Sequence, residues 1–315
     1  MSKLAKDIKT QPMLGLRKVS QIHVYCPKEA EALISDILDH HNISFVLNEF
    51  NLQAGVPKVV CHYRSYELTD EQQDFLISAT EMGAWVEPLV NYLDRRICYT
   101  ETRLLDANYF LQQKAFSILS NSRNKFWKRS LDLMASVMGL TVLSPLLLLT
   151  AIAIKLESKG PVFYKQFRVG LYNNEFKVIK FRSMRNDAEK DGAQWAQKND
   201  CRVTKVGKFI RKTRIDELPQ LINVLRGEMS IIGPRPEREV FIEELEKEIP
   251  YYRFRHAVKP GITGLAQVRY PYGASVEDAM WKHKYDIFYI KHHNFWADIK
   301  IILLTIKTVF FARGQ

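Results

Sequence analysis

Two adjacent carboxylates, Asp216 and Glu217, lie in the segment best suited to phosphoryl chemistry. Four bases precede the second carboxylate within ten residues: Lys208, Arg211, Lys212 and Arg214. A carboxylate can attack phosphorus as a covalent nucleophile when nearby cations and a metal ion neutralise the phosphoryl oxygens. The second carboxylate could hold that metal. The pair would equally serve as the acidic first turn of a helix formed by LPQLINVL, so the residues alone leave both roles open.

A turn around Arg235 is the second feature suited to phosphate. Pro234 and Pro236 restrict the backbone on both sides of it, and Gly233 permits a tight turn before them. A guanidinium group can grip two phosphate oxygens at once. An ordinary turn with an exposed arginine fits the same residues. The glycine-punctuated stretch KPGITGLAQV at 259–268 is weaker evidence and indicates no chemistry by itself.

The element that would bring such a site to a membrane is the apolar run 131–154, LDLMASVMGLTVLSPLLLLTAIAI. As one straight helix it would reach roughly 36 Å, enough to cross a hydrocarbon core. Ser144-Pro145 interrupts it, and basic residues flank both ends. A kinked transmembrane helix and a helix that enters one leaflet, breaks and returns both fit this pattern. Segment 294–314 fits either an interfacial helix or a packed one.

The net charge of +11 is concentrated in residues 155–214, which contain 16 basic and 6 acidic side chains. Such a block after an apolar segment faces anionic headgroups or binds phosphorylated ligands. Its aromatic residues fit core strand positions, and it contains no nucleic-acid-reading motif, so we expect no nucleic acid as a partner. The cysteines form no CxxC pair, which indicates a reducing compartment rather than a disulfide framework.

The sequence pattern of the N-terminal part, 1–120, predicts an α/β fold. Short apolar runs alternate with helical patterns between about 20 and 90, which is typical of a Rossmann-like, mostly parallel sheet. The loop CPKEAEA has no glycine that would let a pyrophosphate approach the backbone, so we predict a regulatory or oligomerising domain and a homodimer. The extreme N-terminus has no apolar core typical of a secretory signal, which places the soluble parts in the cytoplasm.

From about Lys125 to Arg313 the chain resembles the bacterial sugar transferases, the monotopic phosphoglycosyl transferases that act on polyprenyl phosphate. The resemblance rests on the apolar run and on the ordered motifs GPVFYKQFRVGLYNNEFKVIKFRSM, RKTRIDELPQLINVLRGEMSIIGPRP, VKPGITGLAQV and YDIFYI. The N-terminal part resembles the Rossmann-like domain of longer members. Those members usually carry transmembrane helices before this domain, and this sequence contains none, so membrane contact is expected from 131–154, with the C-terminal helix as a second candidate.

The resemblance implies a mixed α+β catalytic domain, 121–315, with a re-entrant membrane helix-break-helix at Ser144-Pro145 on the cytoplasmic face of the inner membrane. It implies that Asp216 attacks the β-phosphorus of a UDP-sugar, expels UMP and passes the sugar phosphate to polyprenyl (undecaprenyl) phosphate. This would be the first membrane step of exopolysaccharide, O-antigen or capsule assembly. By resemblance, Glu217 binds Mg²⁺, and the residues expected to bind substrate or phosphate are Arg211, Arg235, Lys180, Arg182 and Asp286. The competing hypothesis is a non-enzymatic membrane-associated scaffold, which does not require these residues to converge.

Overall fold

The computed structural model describes residues 21–50, 59–186, 188, 200–270, 273 and 275–310. The chain divides into two compact units, 1–110 and 111–315. The N-terminal segment 1–20, residues 189–199 of the basic block and the end of the predicted C-terminal segment lie outside the described residues.

The first unit contains a four-stranded parallel sheet, which confirms the predicted alternation of strands and helices. The strand order is β2-β1-β3-β4. The central strands β1 and β3 are almost continuously apolar, because helices cover both faces of a parallel sheet. The elements are β1 (Ile22–Tyr25), α1 (Glu31–His40), β2 (Phe45–Leu47), β3 (Val59–His62), α2 (Asp70–Glu81), β4 (Trp85–Pro88) and α3 (Leu89–Ile97), with 3-10 turns at Lys28–Ala30, Ser65–Glu67 and Thr102–Leu104.

The second unit is mixed α/β and follows the short helix α4 (Ala107–Leu111), which crosses the division. Its helices are α5 (Ser117–Ser120), α6 (Ser122–Val142), α7 (Ser144–Glu157), α8 (Lys205–Lys212), α9 (Gln220–Arg226), α10 (Glu239–Glu248), α11 (Leu265–Arg269), α12 (Val276–His292) and α13 (Phe295–Phe310). Its strands form an antiparallel pair, β5 (Phe163–Val169) with β6 (Glu175–Phe181), and a parallel pair, β7 (Ser230–Ile232) with β8 (Gly261–Thr263). Short 3-10 turns occur at Gln113–Ala115, Leu171–Asn173, Ile215–Glu217 and Tyr252–Ala257.

Helices α6 and α7 form a bent pair, with a 61° angle at the predicted break. Pro145 has no N–H to donate to the carbonyl of Thr141, four residues earlier. The Ser144 hydroxyl donates to that carbonyl instead, at 2.8 Å. The helix therefore ends and restarts without leaving this acceptor unsatisfied. No helix in the described ranges is alone both long and apolar enough to cross a membrane, whereas this bent pair passes that test jointly.

The bent pair presents apolar side chains outward and polar ones inward. Met134 and Met138 are 71% and 65% exposed, whereas Asp132 and Ser136 on the same helix are buried. Several leucines of α7 are also exposed. This distribution is the reverse of that on a helix at the surface of a water-soluble domain.

Polar side chains of α6 attach the bent pair to the rest of the second unit. Arg129 donates to the carbonyls of Val224 and Leu225 at 2.7 and 3.0 Å, where α9 ends. Asp132 Oδ1 accepts hydrogen bonds from Ser230 Oγ and the backbone N–H of Ile231, both at 2.9 Å. Lys128 forms an ion pair with Asp298, on α13, at 3.1 Å. These contacts fix the bent pair against α9, β7 and α13.

Two glycines allow β7 and β8 to approach closely and so set the start of the Arg235 turn. A Cβ atom on Gly233 would lie 2.4 Å from the carbonyl oxygen of Lys259, and one on Gly261 would lie 2.1 Å from the nitrogen of Gly233. Both distances are too short for any side chain. The glycines of the second and third sequence motifs thus share one packing role.

Candidate active site

Asp216 and Glu217 lie in the 3-10 turn Ile215–Glu217 between α8 and α9. Helix α9 begins only at Gln220, so the carboxylates are not its first turn. Arg214, immediately before the turn, has a left-handed backbone with φ of 60°. The two acidic residues are only 9% and 7% exposed. Burying two adjacent carboxylates is costly unless cations or hydrogen-bond donors compensate them.

Glu217 is compensated by two cations from distant parts of the chain. Its Oε1 atom lies 3.0 Å from Lys180 Nζ, on β6, and 2.7 Å from Arg235 Nη2, in the turn after β7. Gln267, on α11, accepts a further hydrogen bond from Arg235 Nη1 at 3.1 Å. Burial alone would raise the pKa of Glu217, but the charges of Arg235 and Lys180 lower it well below its usual value. Glu217 is therefore ionised.

Asp216 differs, because among the described residues no donor reaches its Oδ1 atom. Burial and the negative charge of Glu217 raise the pKa of Asp216 to about 6, although Lys180, Arg214 and Arg235 act in the opposite direction. At neutral pH most molecules then carry an ionised Asp216 with a buried oxygen that is not hydrogen-bonded. Such an oxygen is poorly stabilised and suited to attack an electrophile or to bind a cation.

Two more arginines belong to this charge cluster: Arg214, one of the four bases that precede the carboxylates in sequence, and Arg168, which the sequence motifs did not single out. Arg214 acts on both carboxylates through its charge. Burial, together with the positive charges of Arg235 and Arg238, lowers the pKa of Arg168 to about 10. Arg168 lies within the motif QFRVG, so a closer examination of that motif could have identified it. Mutual repulsion among these cations favours the binding of an anion.

Asp286, predicted to bind substrate, lies behind the Arg235 turn and is 1% exposed. It accepts a hydrogen bond from Arg255 Nη2 at 2.8 Å. The same nitrogen donates to the backbone carbonyl of Arg235 at 3.2 Å, and Glu237 forms a second ion pair with Arg255 at 3.0 Å. The observed contacts of Asp286 thus support the turn. Nothing in the sequence motifs pointed to Arg255.

Arg182 and Arg211 occupy different surroundings. Arg182 donates to the carbonyls of Ser158 and Lys159 at 2.8 and 3.1 Å, so it binds the chain just beyond the end of α7. Arg211 is half-buried in the last turn of α8. Within the described ranges it has no hydrogen bond or ion pair with Asp216 or Glu217. A phosphate-binding role for either arginine stays a prediction.

The residues present fit a magnesium ion that takes most of its ligands from water and substrate phosphates rather than from the protein. No group of three or more histidine, cysteine or carboxylate side chains in the described part of the chain could hold a metal by itself. Protein-bound Mg²⁺ commonly uses one or two carboxylates and completes its shell with water and substrate phosphates. The Oδ1 atom of Asp216 and the adjacent Glu217 supply that minimal set.

The sequence profile of the bacterial sugar transferases matches residues 123–312, which include the bent helix pair and every residue of this cluster. This range is more than half of the chain. The chain belongs to the bacterial sugar transferase family.

The relatives of this chain are named for related reactions with different sugars. The chain is 43% identical over 256 residues to the UDP-N-acetylgalactosamine-undecaprenyl-phosphate N-acetylgalactosaminephosphotransferase of Aeromonas hydrophila, covering 81% of this chain and 59% of that protein. It is 46% identical over 188 residues to the UDP-glucose:undecaprenyl-phosphate glucose-1-phosphate transferase of Klebsiella pneumoniae, covering 59% of this chain and 40% of that one. The match thus spans about half the length of these relatives.

Proposed function

We propose that the chain transfers a sugar 1-phosphate from a UDP-sugar to undecaprenyl phosphate and releases UMP. The observation that carries the proposal is a buried Asp216 oxygen that no donor from the described part of the chain reaches. It lies beside Glu217, which is held by Lys180 and Arg235. The names of the relatives, which specify UDP-sugars or undecaprenyl phosphate, agree with this chemistry. The product would be the first lipid-linked intermediate of an exopolysaccharide, O-antigen or capsule-type glycan.

The reaction would proceed in two displacements. A carboxylate oxygen of Asp216 attacks the β-phosphorus, the bond from that phosphorus to the bridging oxygen breaks, and UMP leaves with the electron pair. A phosphate oxygen of undecaprenyl phosphate then attacks the same phosphorus and displaces the Asp216 carboxylate, which is regenerated. Splitting one transfer into two steps is the usual advantage of a covalent nucleophile.

The surrounding side chains would bind and orient the diphosphate. Arg235 can offer a planar pair of donors, and Lys180, Arg168 and Arg214 add positive charge where the phosphoryl oxygens would lie. Glu217 would hold Mg²⁺, which when bound offsets negative charge on the diphosphate and leaves Asp216 to act as the nucleophile. The phosphate contacts predicted for Arg211 and Arg182 remain part of this proposal, and Asp286 would act on substrate binding through Arg255 and the Arg235 turn.

The proposal is tested directly by UMP release. The detergent-solubilised chain is incubated with undecaprenyl phosphate, Mg²⁺ and a panel of UDP-sugars that includes UDP-N-acetylgalactosamine and UDP-glucose. We expect one of these sugars to release UMP and form a lipid-linked sugar diphosphate only when undecaprenyl phosphate is present. A non-enzymatic scaffold would release no UMP with any member of the panel.

We also infer that α6 and α7 enter one leaflet of the inner membrane and return to the cytoplasmic face. The outward-facing apolar side chains and the 61° bend support this topology. A shallow hairpin would hold the site where a soluble nucleotide sugar and a lipid-bound phosphate can both reach it. The first unit, with its parallel sheet, would serve as a Rossmann-like regulatory or oligomerising domain of a homodimer.

Replacing Pro145 by Leu should convert part of the population to a spanning topology. Leucine restores the missing backbone donor and removes the steric reason for the break. Tags before Lys125 and at the C-terminus should both react with a cytoplasm-restricted reagent in the unmodified chain. In Pro145→Leu, a fraction of the C-terminal tags should become accessible only from the opposite side.

The matched control for this prediction is Pro161→Leu, because Pro161 is exposed and lies after α7. Its labelling should equal that of the unmodified chain. If the C-terminal tag of the unmodified chain already reacts from the opposite side, the pair spans the membrane and the re-entrant topology is wrong.

Replacing Arg235 by Lys should lower kcat/KM for UMP release by about 10- to 100-fold, because a lysine cannot reproduce two parallel hydrogen bonds. Arg235→Lys should leave the unfolding temperature nearly unchanged. Arg226→Lys, at an exposed arginine that ends α9, provides the control and should be silent. An equally silent Arg235→Lys would remove Arg235 from the binding site.

Replacing Glu217 by Gln should weaken the binding of Mg²⁺ and also lower the rate of UMP release. The amide keeps the shape of the side chain but loses the charge that favours a divalent cation. A Mg²⁺ titration of UMP release should therefore shift to higher concentration. An unchanged titration midpoint with a reduced rate would show that Glu217 only positions Lys180 and Arg235.

A further inference from the structure

A cavity of about 310 Å³ lies at the base of α6. It is bounded by the first turns of α6, by β7 and by the loop that leads into β8. Neither Asp216 nor Glu217 lines it. Its volume is at the lower end of the range for sites that bind small molecules or headgroups.

The charged lining of the cavity is strongly positive. Its basic members are Lys125, Lys128, Arg129 and Lys259, and its one acidic member is Asp132. Asp132 Oδ1 is already used by Ser230 and the backbone of Ile231. The excess of positive charge is therefore not neutralised by the lining itself.

Only part of this charge is engaged by the fold. Lys128 forms an ion pair with Asp298 at 3.1 Å, and Arg129 donates to the carbonyls at the end of α9. Within the described ranges, Lys125 and Lys259 have no carboxylate at salt-bridge distance. Burial, together with the positive charges of Arg129 and Lys128, lowers the pKa of Lys259, and Asp132 offsets this only in part. An anion placed here would relieve the repulsion.

The position of the cavity relates it to the proposed membrane surface. Phe126 and Trp127, beside Lys125, are 65% and 54% exposed, and the exposed methionines of α6 follow within three turns. Exposed aromatic residues next to an apolar segment are typical of the level of lipid headgroups. Basic pockets at that level, on the cytoplasmic side, bind anionic headgroups.

We propose that this cavity binds the phosphate headgroup of an anionic membrane phospholipid, with Lys125 and Lys259 as its principal partners. The lining also contains Leu119, Ile232 and Val258, which can contact the glycerol portion of a lipid but offer nothing to inorganic phosphate. The acyl chains would follow the exposed apolar face of α6. The proposal rests on the inferred membrane hairpin and is independent of the catalytic chemistry at Asp216.

The test is a binding titration rather than an activity assay. The detergent-solubilised full chain is titrated calorimetrically with dioctanoyl phosphatidylglycerol, dioctanoyl phosphatidylcholine, inorganic phosphate and undecaprenyl phosphate. We expect saturable binding of phosphatidylglycerol and at least tenfold weaker binding of phosphatidylcholine and inorganic phosphate. Lys125→Gln and Lys259→Gln should each weaken phosphatidylglycerol binding about fivefold, which corresponds to about 1 kcal/mol per lysine.

Two further variants make the test specific. Lys259→Arg keeps the charge and should retain most of the affinity. Lys247→Gln removes an exposed charge from α10 and should not change it. Equal affinity for phosphatidylglycerol in Lys125→Gln, Lys259→Gln and the unmodified chain would overturn the proposal.

The remaining outcomes distinguish the source of the phosphate. Inorganic phosphate that binds as tightly as phosphatidylglycerol would show a site for a soluble anion and overturn the lipid assignment. Loss of undecaprenyl phosphate binding in Lys125→Gln or Lys259→Gln would make the cavity part of the acceptor site and would overturn it as well. Because no titration measures turnover, these results are separate from the success or failure of the proposed transferase reaction.

Discussion

Replacing Asp216 by Asn should abolish sugar-phosphate transfer, with UMP release lowered by about 10⁴-fold or more. An amide oxygen is a far weaker nucleophile than a carboxylate, and no other described carboxylate shares its position beside Glu217 and the surrounding cations. The unmodified chain, incubated with a UDP-sugar that carries ³²P in its β-phosphate and no undecaprenyl phosphate, should become labelled. Asp216→Asn should not.

The folded state of Asp216→Asn should be intact, which separates a chemical effect from unfolding. Burial and the charge of Glu217 already disfavour the ionised form of Asp216, as its raised pKa of about 6 indicates. A neutral side chain of the same shape should therefore leave the unfolding temperature unchanged or slightly higher. Glu248→Gln, at an exposed acid that ends α10, is the control and should be silent. Near-normal turnover or labelling of Asp216→Asn would exclude Asp216 as the nucleophile.

Replacing Asp286 by Asn should have the largest effect on stability. Arg255 is 1% exposed and would retain Glu237 but lose one of its two carboxylate partners. The buried Arg255 Nη2 group then exchanges a charged acceptor for a neutral amide, at a cost of about 3 kcal/mol. For a unit of this size the unfolding temperature should fall by about 6 to 12 °C. The same change should loosen the Arg255 contact with the backbone of Arg235.

A positioning role predicts more than lost stability. Below its unfolding temperature, Asp286→Asn should still show an increased KM for the UDP-sugar, because a displaced Arg235 binds the diphosphate less well. Combining it with Arg235→Lys should reduce kcat/KM by less than the product of the single effects, since both changes act through Arg235. Glu277→Gln, at an exposed acid on the same helix, should affect neither measurement. Fully multiplicative losses would show that Asp286 acts independently of Arg235.

Features with local causes could be predicted from the sequence. A proline within an apolar run lacks a backbone donor wherever the helix lies, so a break close to Ser144-Pro145 was predictable; α6 ends at Val142 and α7 begins at Ser144. The apolar strands of the first unit alternate with amphipathic helices, a pattern that indicates a parallel sheet before any contact is known. The family could likewise be identified from the order of the motifs, because each motif is a continuous stretch of sequence and can be recognised without knowing any tertiary contact.

The composition of the candidate site depended on tertiary structure. Lys180, Glu217, Arg235 and Gln267 come from four separate elements, and only packing brings them within hydrogen-bond distance. The local sequence left Asp216 and Glu217 equally compatible with the first turn of a helix. Their burial and the cations around them distinguish the two acids, raising the pKa of one and lowering that of the other.

The same reason explains why motif reasoning missed Arg255 and could not give the surroundings of Arg182 and Asp286. Arg182 and Asp286 were identified as polar positions of the family motifs. The sequence does not show whether such a charged side chain faces a phosphate or another part of the fold. Arg255 occurs in no quoted motif, yet it joins Asp286 to the Arg235 turn. The sequence by itself determined the types and order of the charged groups in this protein. Only the tertiary structure decided which of them are neighbours and how far each is removed from water, and electrostatic energies depend on both.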